Sequence, residues 1–457
     1  MNSRDAIPDR AAAQLRAVIK EYSLPAVSAL MCGLAAYLFV FTNKLLNLDE
    51  IAGLFAKGES VSSGRWALAL TSYIFPDISM PWFNGVLSLV MLTVSACLVI
   101  RVFEIKSTPA RLVLPALLVV FPSQIVTFAY MFTCAPYALA VLLAVGSVYA
   151  LLCCGGKKRW MLSGLMLCFS LGIYQAYLSV AASFYVVYLI KRTVDGEWEV
   201  KRILRCGVEC VLSLVLSLAL YFAINKLVMY VTHTEYNSYA GASFQTDIKS
   251  VLFGVRVAFT AFLGYFYKGY YHLVATDFSK LLHFVCAGIA GIGLAVYLVR
   301  CRERKRAWLL VLLLIMLPLS VNCLYIVSSQ RHTLMLYSFT AVYVLAAVTA
   351  EELIVPKWGN VINPQFGNQI SPSLTNGDTV VDGDVSGLPS SPSSEFTIAP
   401  KAVLHGKQEI GCAHEKQLWF CLLLPSRLRT RSCYFLLRQK VTKERPEGAA
   451  ECRVWAA

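Results

Sequence analysis

The sequence predicts an all-α polytopic membrane protein with about ten transmembrane helices, and three observations lead to that prediction. Of the 457 residues, 57% are hydrophobic and only 15% are charged, whereas a soluble domain is about 45–50% apolar and about 25% charged. Apolar runs of membrane-spanning length follow one another along the chain, and short clusters of Lys and Arg separate them. This composition excludes a simple soluble enzyme, a disordered chain and a secreted disulfide scaffold.

Each predicted span is an apolar run close to the length that crosses a hydrocarbon core, about 17–25 residues. The two runs that flank Tyr174 are the shortest. The predicted spans are 24–42, 82–100, 110–128, 134–154, 160–174, 176–190, 207–225, 281–299, 307–327 and 333–350.

The basic residues predict the orientation of these spans. The net charge is +14, and 20 of the 29 Lys and Arg residues before residue 353 lie in the amino-terminal segment or in alternate short loops after it. Because loops rich in Lys and Arg stay in the cytoplasm, we expect the amino terminus to be cytoplasmic. The charge then indicates membrane orientation rather than a nucleic-acid partner.

One apolar stretch does not fit a simple alternation. Residues 251–267 carry Arg256 at their centre, and counting them as a span would move the basic cluster at 300–306 to the outside. We expect an interfacial or re-entrant helix there, inside a long outer loop at 226–280, because helices with aromatic and basic residues commonly lie at that depth.

The predicted domain organisation has three parts. Residues 1–23 form a cytoplasmic stub, and residues 24–352 form the membrane domain, with its first outer loop at 43–81. Residues 353–457 form a tail that begins with a disordered stretch rich in Ser, Pro, Gly and Asn, and its role is left open.

The first outer loop holds the strongest candidate for catalysis. Asp49 and Glu50 are adjacent carboxylates just beyond the first span. A carboxylate near a low-dielectric environment tends to have a raised pKa, which suits a general base that accepts a proton from a sugar hydroxyl. One carboxylate would face the reaction while the other orients it. The alternative is a solvated pair of acidic residues in a loop.

Further candidate residues for substrate binding lie at the outer edge of the predicted bundle. Arg331 is the only charge of a short outer loop, where a guanidinium suits a phosphate, although a membrane anchor is the alternative. The other candidates are Arg65 and Trp66 in Gly64-Arg65-Trp66, Tyr174 with Gln175, and Lys268.

No Asp or Glu lies in the middle of a predicted span. Ion-coupled transporters usually place ionisable residues at that depth, so the sequence disfavours a coupled transporter. A flippase for a lipid-linked sugar and an accessory membrane subunit remain as alternatives. The cysteines have no metal-ligand spacing, and a divalent cation beside the acidic pair is left open.

Taken together, Asn47-Leu48-Asp49-Glu50, Gly64-Arg65-Trp66 and Tyr174-Gln175 after an amino-terminal stub and one span resemble the membrane glucosyltransferases of the GtrII type. Enzymes of this type are encoded by phages or prophages, glucosylate bacterial O-antigen and change the serotype. The resemblance covers roughly residues 20–350. The chain is also similar to the broader GT-C superfamily of polytopic transferases, which have acidic residues in the first outer loop.

The resemblance implies an inverting transfer of glucose from undecaprenyl-phosphate-glucose to a sugar of the O-antigen, a part of lipopolysaccharide. It implies a bacterial inner-membrane protein with its active site on the periplasmic side. Asp49 and Glu50 match the acidic motif of the family, and residues 64–66 match its GRW motif. A GT-C transferase with another sugar donor is the alternative within the enzyme class.

Overall fold

A computed structural model of the chain confirms the all-α prediction: every regular element among the residues that it describes is helical. The predicted tail, apart from its first two residues, lies outside those residues. The structure describes residues 6–45, 47, 49–51, 59–75, 78–235, 248–268, 277–327 and 332–354.

Three helices of the amino-terminal half have a proline in their first turn. Proline is favourable there because the N–H groups of the first turn have no intrahelical acceptor, so the missing N–H costs no hydrogen bond. The three helices are α4, α5 and α6. The elements are α1 (Ala6–Thr42), α2 (Glu59–Ser62), α3 (Trp66–Thr71), α4 (Pro81–Val102), α5 (Thr108–Val119), α6 (Pro122–Ala129), α7 (Met131–Cys153) and α8 (Lys158–Ile173).

The second half of the described chain starts with a single 3-10 turn at Gln175–Tyr177 and ends with a π-helical turn. Its elements are α9 (Leu178–Val194), α10 (Val200–Val231), α11 (Ile248–Lys268), α12 (Asp277–Arg300), α13 (Arg304–Val321), α14 (Cys323–Val327), a 3-10 helix (Thr333–Phe339), α15 (Thr340–Thr349) and the π turn (Ala350–Ile354).

Within the described residues, eight segments are long and apolar enough to cross a membrane. The predicted spans at 160–174 and 176–190 are α8 and α9, which have only 16 and 17 residues. The predicted span at 307–327 corresponds to α13 and, after Asn322, the short α14. Helix α13 begins with three basic residues.

The stretch predicted to be interfacial forms α11. Its segment Lys249–Phe266 is one of the eight that are long and apolar enough to cross a membrane. The backbone of Gly254 in α11 lies against Ile326, and the Asn322 side chain donates to the carbonyl of Ala258 at 2.9 Å. The interfacial placement stays a prediction, because length and composition also permit a span.

Helix α9 lies at the centre of the bundle. Except for Leu178 and Val186, all of its residues are buried, and α7, α10, α13 and α15 pack around it. A helix that is apolar on all sides is stable only inside such a bundle. Its carboxyl terminus marks the Arg192 end of the bundle, and its amino terminus marks the Arg65 end.

The Arg192 end surrounds the carboxyl terminus of α9, where charged side chains hold three chain segments together. The Arg192 guanidinium lies 2.6 Å from a carboxylate oxygen of Glu104, and Lys191 lies 3.1 Å from the other oxygen. Asp195 and Glu352 complete the cluster. Glu104 has a φ of 55°, a left-handed conformation that costs about 1–2 kcal/mol.

Two tyrosines donate hydrogen bonds to backbone carbonyl groups at the break between α5 and α6. Pro122 has no N–H, so the carbonyl of Leu118 loses its usual helical donor. The hydroxyl of Tyr337 donates to that carbonyl at 3.2 Å, and the hydroxyl of Tyr37 donates to the carbonyl of Val119 at 3.1 Å. Both tyrosines are buried, so these bonds tie α1 and the 3-10 helix to the break.

We therefore expect Tyr337→Phe to lower the free energy of unfolding by about 1–3 kcal/mol, because it leaves a buried carbonyl without a donor. Thermal unfolding of the purified protein in detergent measures the change. Tyr73→Phe is the matched control, since Tyr73 is 89% exposed. Equal stability of both variants would contradict this role for Tyr337.

Candidate functional site

The Arg65 end of the bundle lies at the start of α9, opposite the Arg192 end. The turn at 63–66 binds the corner between α8 and α9 there, and the acidic segment, described at 47 and 49–51, lies at the same end of the bundle. Tyr174 is the extended residue of that corner, with φ −155° and ψ 115°. The structure thus brings together the residues of the first outer loop and the Tyr174-Gln175 pair that the sequence singled out.

Each residue of Gly64-Arg65-Trp66 has a distinct role in the turn. Gly64 has a φ of 75°, a left-handed conformation that glycine adopts without steric cost. Trp66 is buried, with its ring edge-on to Phe169 at 5.3 Å. A Cβ on Gly172 would lie 2.6 Å from the Trp66 ring, so only glycine allows this approach. Trp66 holds the turn against α8.

The Arg65 guanidinium lies inside a cage of tyrosine rings. Its Nη1 donates to the hydroxyl of Tyr137 at 3.4 Å, and its Cζ lies 5.1 Å from the centre of the Tyr174 ring. No carboxylate among the described residues pairs with it, and its buried Nε has no hydrogen-bond partner there. The neighbouring phenols, chiefly that of Tyr137, raise the pKa of Arg65 against the effect of burial. The cage therefore holds a fixed positive charge.

Tyr174 and Gln175 bind the turn rather than point away from it. The Tyr174 ring stacks on that of Tyr137, with centroids 5.1 Å apart. The Gln175 amide donates to the carbonyl of Ser63 at 3.1 Å and to the hydroxyl of Tyr221 at 3.0 Å. That hydroxyl in turn donates to the carbonyl of Gly64 at 3.0 Å. A connected hydrogen-bond network thus fixes the backbone next to Arg65.

The acidic segment is attached to the bundle through Asn47 at its start. The side-chain amide of Asn47 donates to the carbonyl of Ala129 at 2.9 Å, and its oxygen accepts from the backbone N–H of Asp49 at 2.9 Å. Asp49 is partly exposed, whereas Glu50 is buried. The neighbouring carboxylates therefore have different environments.

Glu50 is fully engaged by its neighbours. The backbone N–H and the hydroxyl of Ser79 donate to its two carboxylate oxygens at 2.8 and 2.7 Å. The ammonium group of Lys44 lies 3.5 Å away. Burial alone would raise the pKa of Glu50, but the bonds from Ser79 and the charge of Lys44 outweigh burial and lower it. The expectation of a raised pKa is therefore wrong for Glu50, because burial came with donors to the charged form.

The acidic segment and the tyrosine cage share a common support. Asn47 binds the last residue of α6, and the next residue, Tyr130, is one of the tyrosines that raise the pKa of Arg65. Asn84 donates to the carbonyl of Met131, the first residue of α7. The corner between α6 and α7 therefore places the carboxylates and the guanidinium at one end of the bundle.

The structure does not describe the side chains of two predicted residues. Arg331 lies outside the described residues, and Lys268 is the last residue of α11, with a side chain outside the described part. Sequence analysis did not find Tyr221 and Ser79. Tyr221 is a polar residue within an apolar run, a signal that could have marked it. Within the described ranges, no group of three His, Cys, Asp or Glu residues could hold a metal ion.

Comparison with known proteins finds one family model that matches most of this chain. A family model described as Glucosyl transferase GtrII matches residues 38–349. The matched region runs from the last turns of α1 to the end of α15 and includes the acidic segment, the turn at 63–66 and the α8–α9 corner. No curated protein and no solved structure matches the chain.

The lowered pKa of Glu50 predicts a pH dependence of stability. A carboxylate with a lowered pKa in the folded state stabilises the protein above its unfolded value of 4.5, and that contribution is lost as the pH falls through the folded pKa. We expect wild type to unfold at a higher temperature than Glu50→Gln at neutral pH, and the difference to shrink on acidification below the unfolded value.

Thermal unfolding in detergent at a series of pH values tests this dependence. Asp277→Asn is the matched control, because the carboxylate of Asp277 is fully exposed and its removal leaves the neutral-pH unfolding temperature unchanged. A pH-independent difference between wild type and Glu50→Gln would contradict the prediction.

Proposed function

Because the chain belongs to the GtrII glucosyltransferase family, we propose that it transfers glucose from undecaprenyl-phosphate-glucose to a sugar of the O-antigen of lipopolysaccharide. The transfer takes place at the Arg65 end of the bundle, on the periplasmic side of a bacterial inner membrane. The observation that carries the proposal is the Arg65 guanidinium, held without a carboxylate partner among the described residues and at the same end of the bundle as the acidic segment.

Asp49 is the general base in this proposal. It is partly exposed and has the neighbouring Glu50 buried behind it. Glu50 is bound by Ser79 on both carboxylate oxygens, so it has little capacity to accept a substrate proton. Glu50 is instead a positioning residue that fixes the segment on which Asp49 lies.

Arg65 binds the phosphate of the donor. A guanidinium presents several N–H groups in a plane and suits phosphate oxygens, and a buried cation stabilises developing negative charge strongly when water is excluded. The face of Tyr174 and the hydroxyl of Tyr137 keep the guanidinium in one orientation.

The reaction is a single displacement at the anomeric carbon of glucose. Asp49 takes the proton of the acceptor hydroxyl as its oxygen forms the new bond to that carbon. The bond from the anomeric carbon to the phosphate oxygen breaks, and the electron pair leaves with undecaprenyl phosphate. Attack from the face opposite the phosphate converts a β-linked donor into an α-linked product. The departing phosphate is a good leaving group, so no general acid is needed.

The length of α9 supports access of a lipid donor to the site. Its 17 residues extend about 25 Å, less than the roughly 30 Å of a hydrocarbon core. With the Arg192 end at one membrane surface, the corner at Tyr174 lies below the level of the other surface. A phosphate attached to a membrane lipid reaches such a depth without leaving the bilayer.

The basic clusters support the orientation. Side chains of α9, α12 and α13 converge at the Arg192 end, where Tyr297 and Arg306 both donate to the carbonyl of Thr193. The basic stretch at 300–306 and Lys191 therefore lie together, as expected for a cytoplasmic face. The acidic segment and Arg65 lie at the opposite end, which is then periplasmic.

The other predicted residues take supporting roles in the proposal. Tyr174, Gln175 and Trp66 position Arg65 through the contacts described above. Arg331 and Lys268 are proposed as further cations for the donor phosphate, on their sequence positions alone. A divalent cation at the acidic pair stays open.

A flippase for a lipid-linked sugar is the alternative without bond chemistry, and a transferase with another sugar donor is the alternative within the enzyme class. Proteoliposomes with radiolabelled undecaprenyl-phosphate-glucose and O-antigen-bearing lipid separate them. Only glucosyl transfer places label in the O-antigen. Label that changes leaflet but stays on undecaprenyl phosphate would support the flippase. Parallel reactions with other hexosyl donors test the choice of sugar.

Asp49→Asn is expected to lower the rate of transfer at least about 100-fold, the contribution of a general base. Initial rates in the proteoliposome assay measure it, with Asp277→Asn, which removes an exposed carboxylate, as the control. Glu50→Gln is expected to lose less activity than Asp49→Asn. The reverse order would assign the base to Glu50 instead.

Arg65→Met is expected to reduce transfer about 100-fold or more, because the leaving phosphate loses its cation. Arg65→Lys keeps the charge but loses the planar group, so an intermediate rate is expected. Arg205→Met removes an exposed arginine near the other end of the bundle and serves as the control. Normal transfer by folded Arg65→Met would remove Arg65 from the phosphate site.

A further inference from the structure

A groove lies at the Arg192 end of the bundle, between the first span of α1 and the amino terminus of α5. Its volume is about 500 Å³. From Lys20 to the end of α1 at Thr42, the helix extends about 33 Å, so the groove and the Arg65 end lie near opposite membrane surfaces. The groove is lined chiefly by Lys20, Glu21, Leu24, Lys106, Thr108 and Arg111.

The charge of this groove is positive and largely uncompensated. The carboxylate of Glu21 lies 3.5 Å from the guanidinium of Arg101, which is not part of the lining. In the described part of the chain, Lys20, Lys106 and Arg111 form no ion pair. One Nη of Arg111 donates to the backbone carbonyl of Glu21, while its buried Nε has no hydrogen-bond partner among the described residues. A ligand with several anionic oxygens would pair with the cations of this lining.

Apolar side chains continue from the groove along the surface of both helices. Leu24, Val27 and Met31 on α1 are 38%, 56% and 62% exposed, and Leu112 and Val113 on α5 are also exposed. Their position beside a cluster of cations matches a ligand with an anionic head and long apolar chains. Basic pockets between transmembrane helices bind anionic lipid headgroups in this way.

The geometry points to this groove as a binding site for the phosphate headgroup of an anionic phospholipid from the leaflet at the amino-terminal end of α1. The lipid phosphate contacts Lys20, Lys106 and the guanidinium of Arg111, and its acyl chains lie along α1 and α5. This lipid is distinct from the glycosyl donor, which binds at the other end of the bundle. Its binding stabilises the contact between α1 and α5.

Native mass spectrometry of the full-length protein, delipidated and then titrated with phosphatidylglycerol, phosphatidylcholine or inorganic phosphate, tests this site. The test variant is Lys20→Gln/Lys106→Gln, which changes only exposed side chains and keeps the backbone bond of Arg111. Lys157→Gln/Lys158→Gln is the matched control, with two exposed lysines outside the groove.

We expect wild type to bind phosphatidylglycerol in preference to phosphatidylcholine, and the groove variant to bind it about tenfold or more weakly. The control variant keeps the wild-type affinity, and inorganic phosphate does not displace the lipid. Equal loss in both variants would indicate general attraction to surface charge and overturn the site. Equal binding of the two lipids, or full displacement by inorganic phosphate, would also overturn the assignment to a phospholipid.

Discussion

Helices that end inside a membrane bundle must satisfy their backbone polar groups without water, and this constraint shapes the protein. At the α5–α6 break, tyrosine hydroxyls supply donors to the free carbonyls. In the turn at 63–66, Gln175 and Tyr221 do the same. Each of these donors lies far along the chain from the carbonyl that it binds. The helix breaks are therefore the places where hydrogen bonds connect distant parts of the bundle. The candidate site is built from one of these junctions.

The same constraint explains why polar residues surround Arg65. A guanidinium removed from water needs acceptors or aromatic faces around its N–H groups, and phenol side chains provide both without neutralising its charge. Tyr137 and Tyr174 offer a hydroxyl and an aromatic face, so the guanidinium keeps its charge for a ligand. A carboxylate in their place would form an internal ion pair, as Glu104 does with Arg192 at the opposite end.

The two ends of the bundle thus use charge in different ways. At the Arg192 end, acidic and basic side chains pair with each other and fasten loops to the end of α9. At the Arg65 end, no carboxylate among the described residues pairs with the guanidinium, and Glu50 pairs with Lys44. The first arrangement stabilises the fold. The second keeps Arg65 apart from the described carboxylates, which suits a site that must handle a hydroxyl proton and a phosphate.

The sequence by itself determined the membrane-embedded helical class and most of the spans. The reason is that a helix crosses a membrane when a local run of about 20 residues is apolar, and such a run is visible in the sequence. It also singled out Asp49, Arg65 and Gln175, but as separate motifs. Only the tertiary structure decided that the turn at 63–66 docks on the corner at Tyr174, since that contact joins residues 112 positions apart. The structure alone distinguished the two carboxylates as well: Ser79 engages Glu50 from 29 residues away, and no pattern near Glu50 predicts a donor that the fold brings from elsewhere.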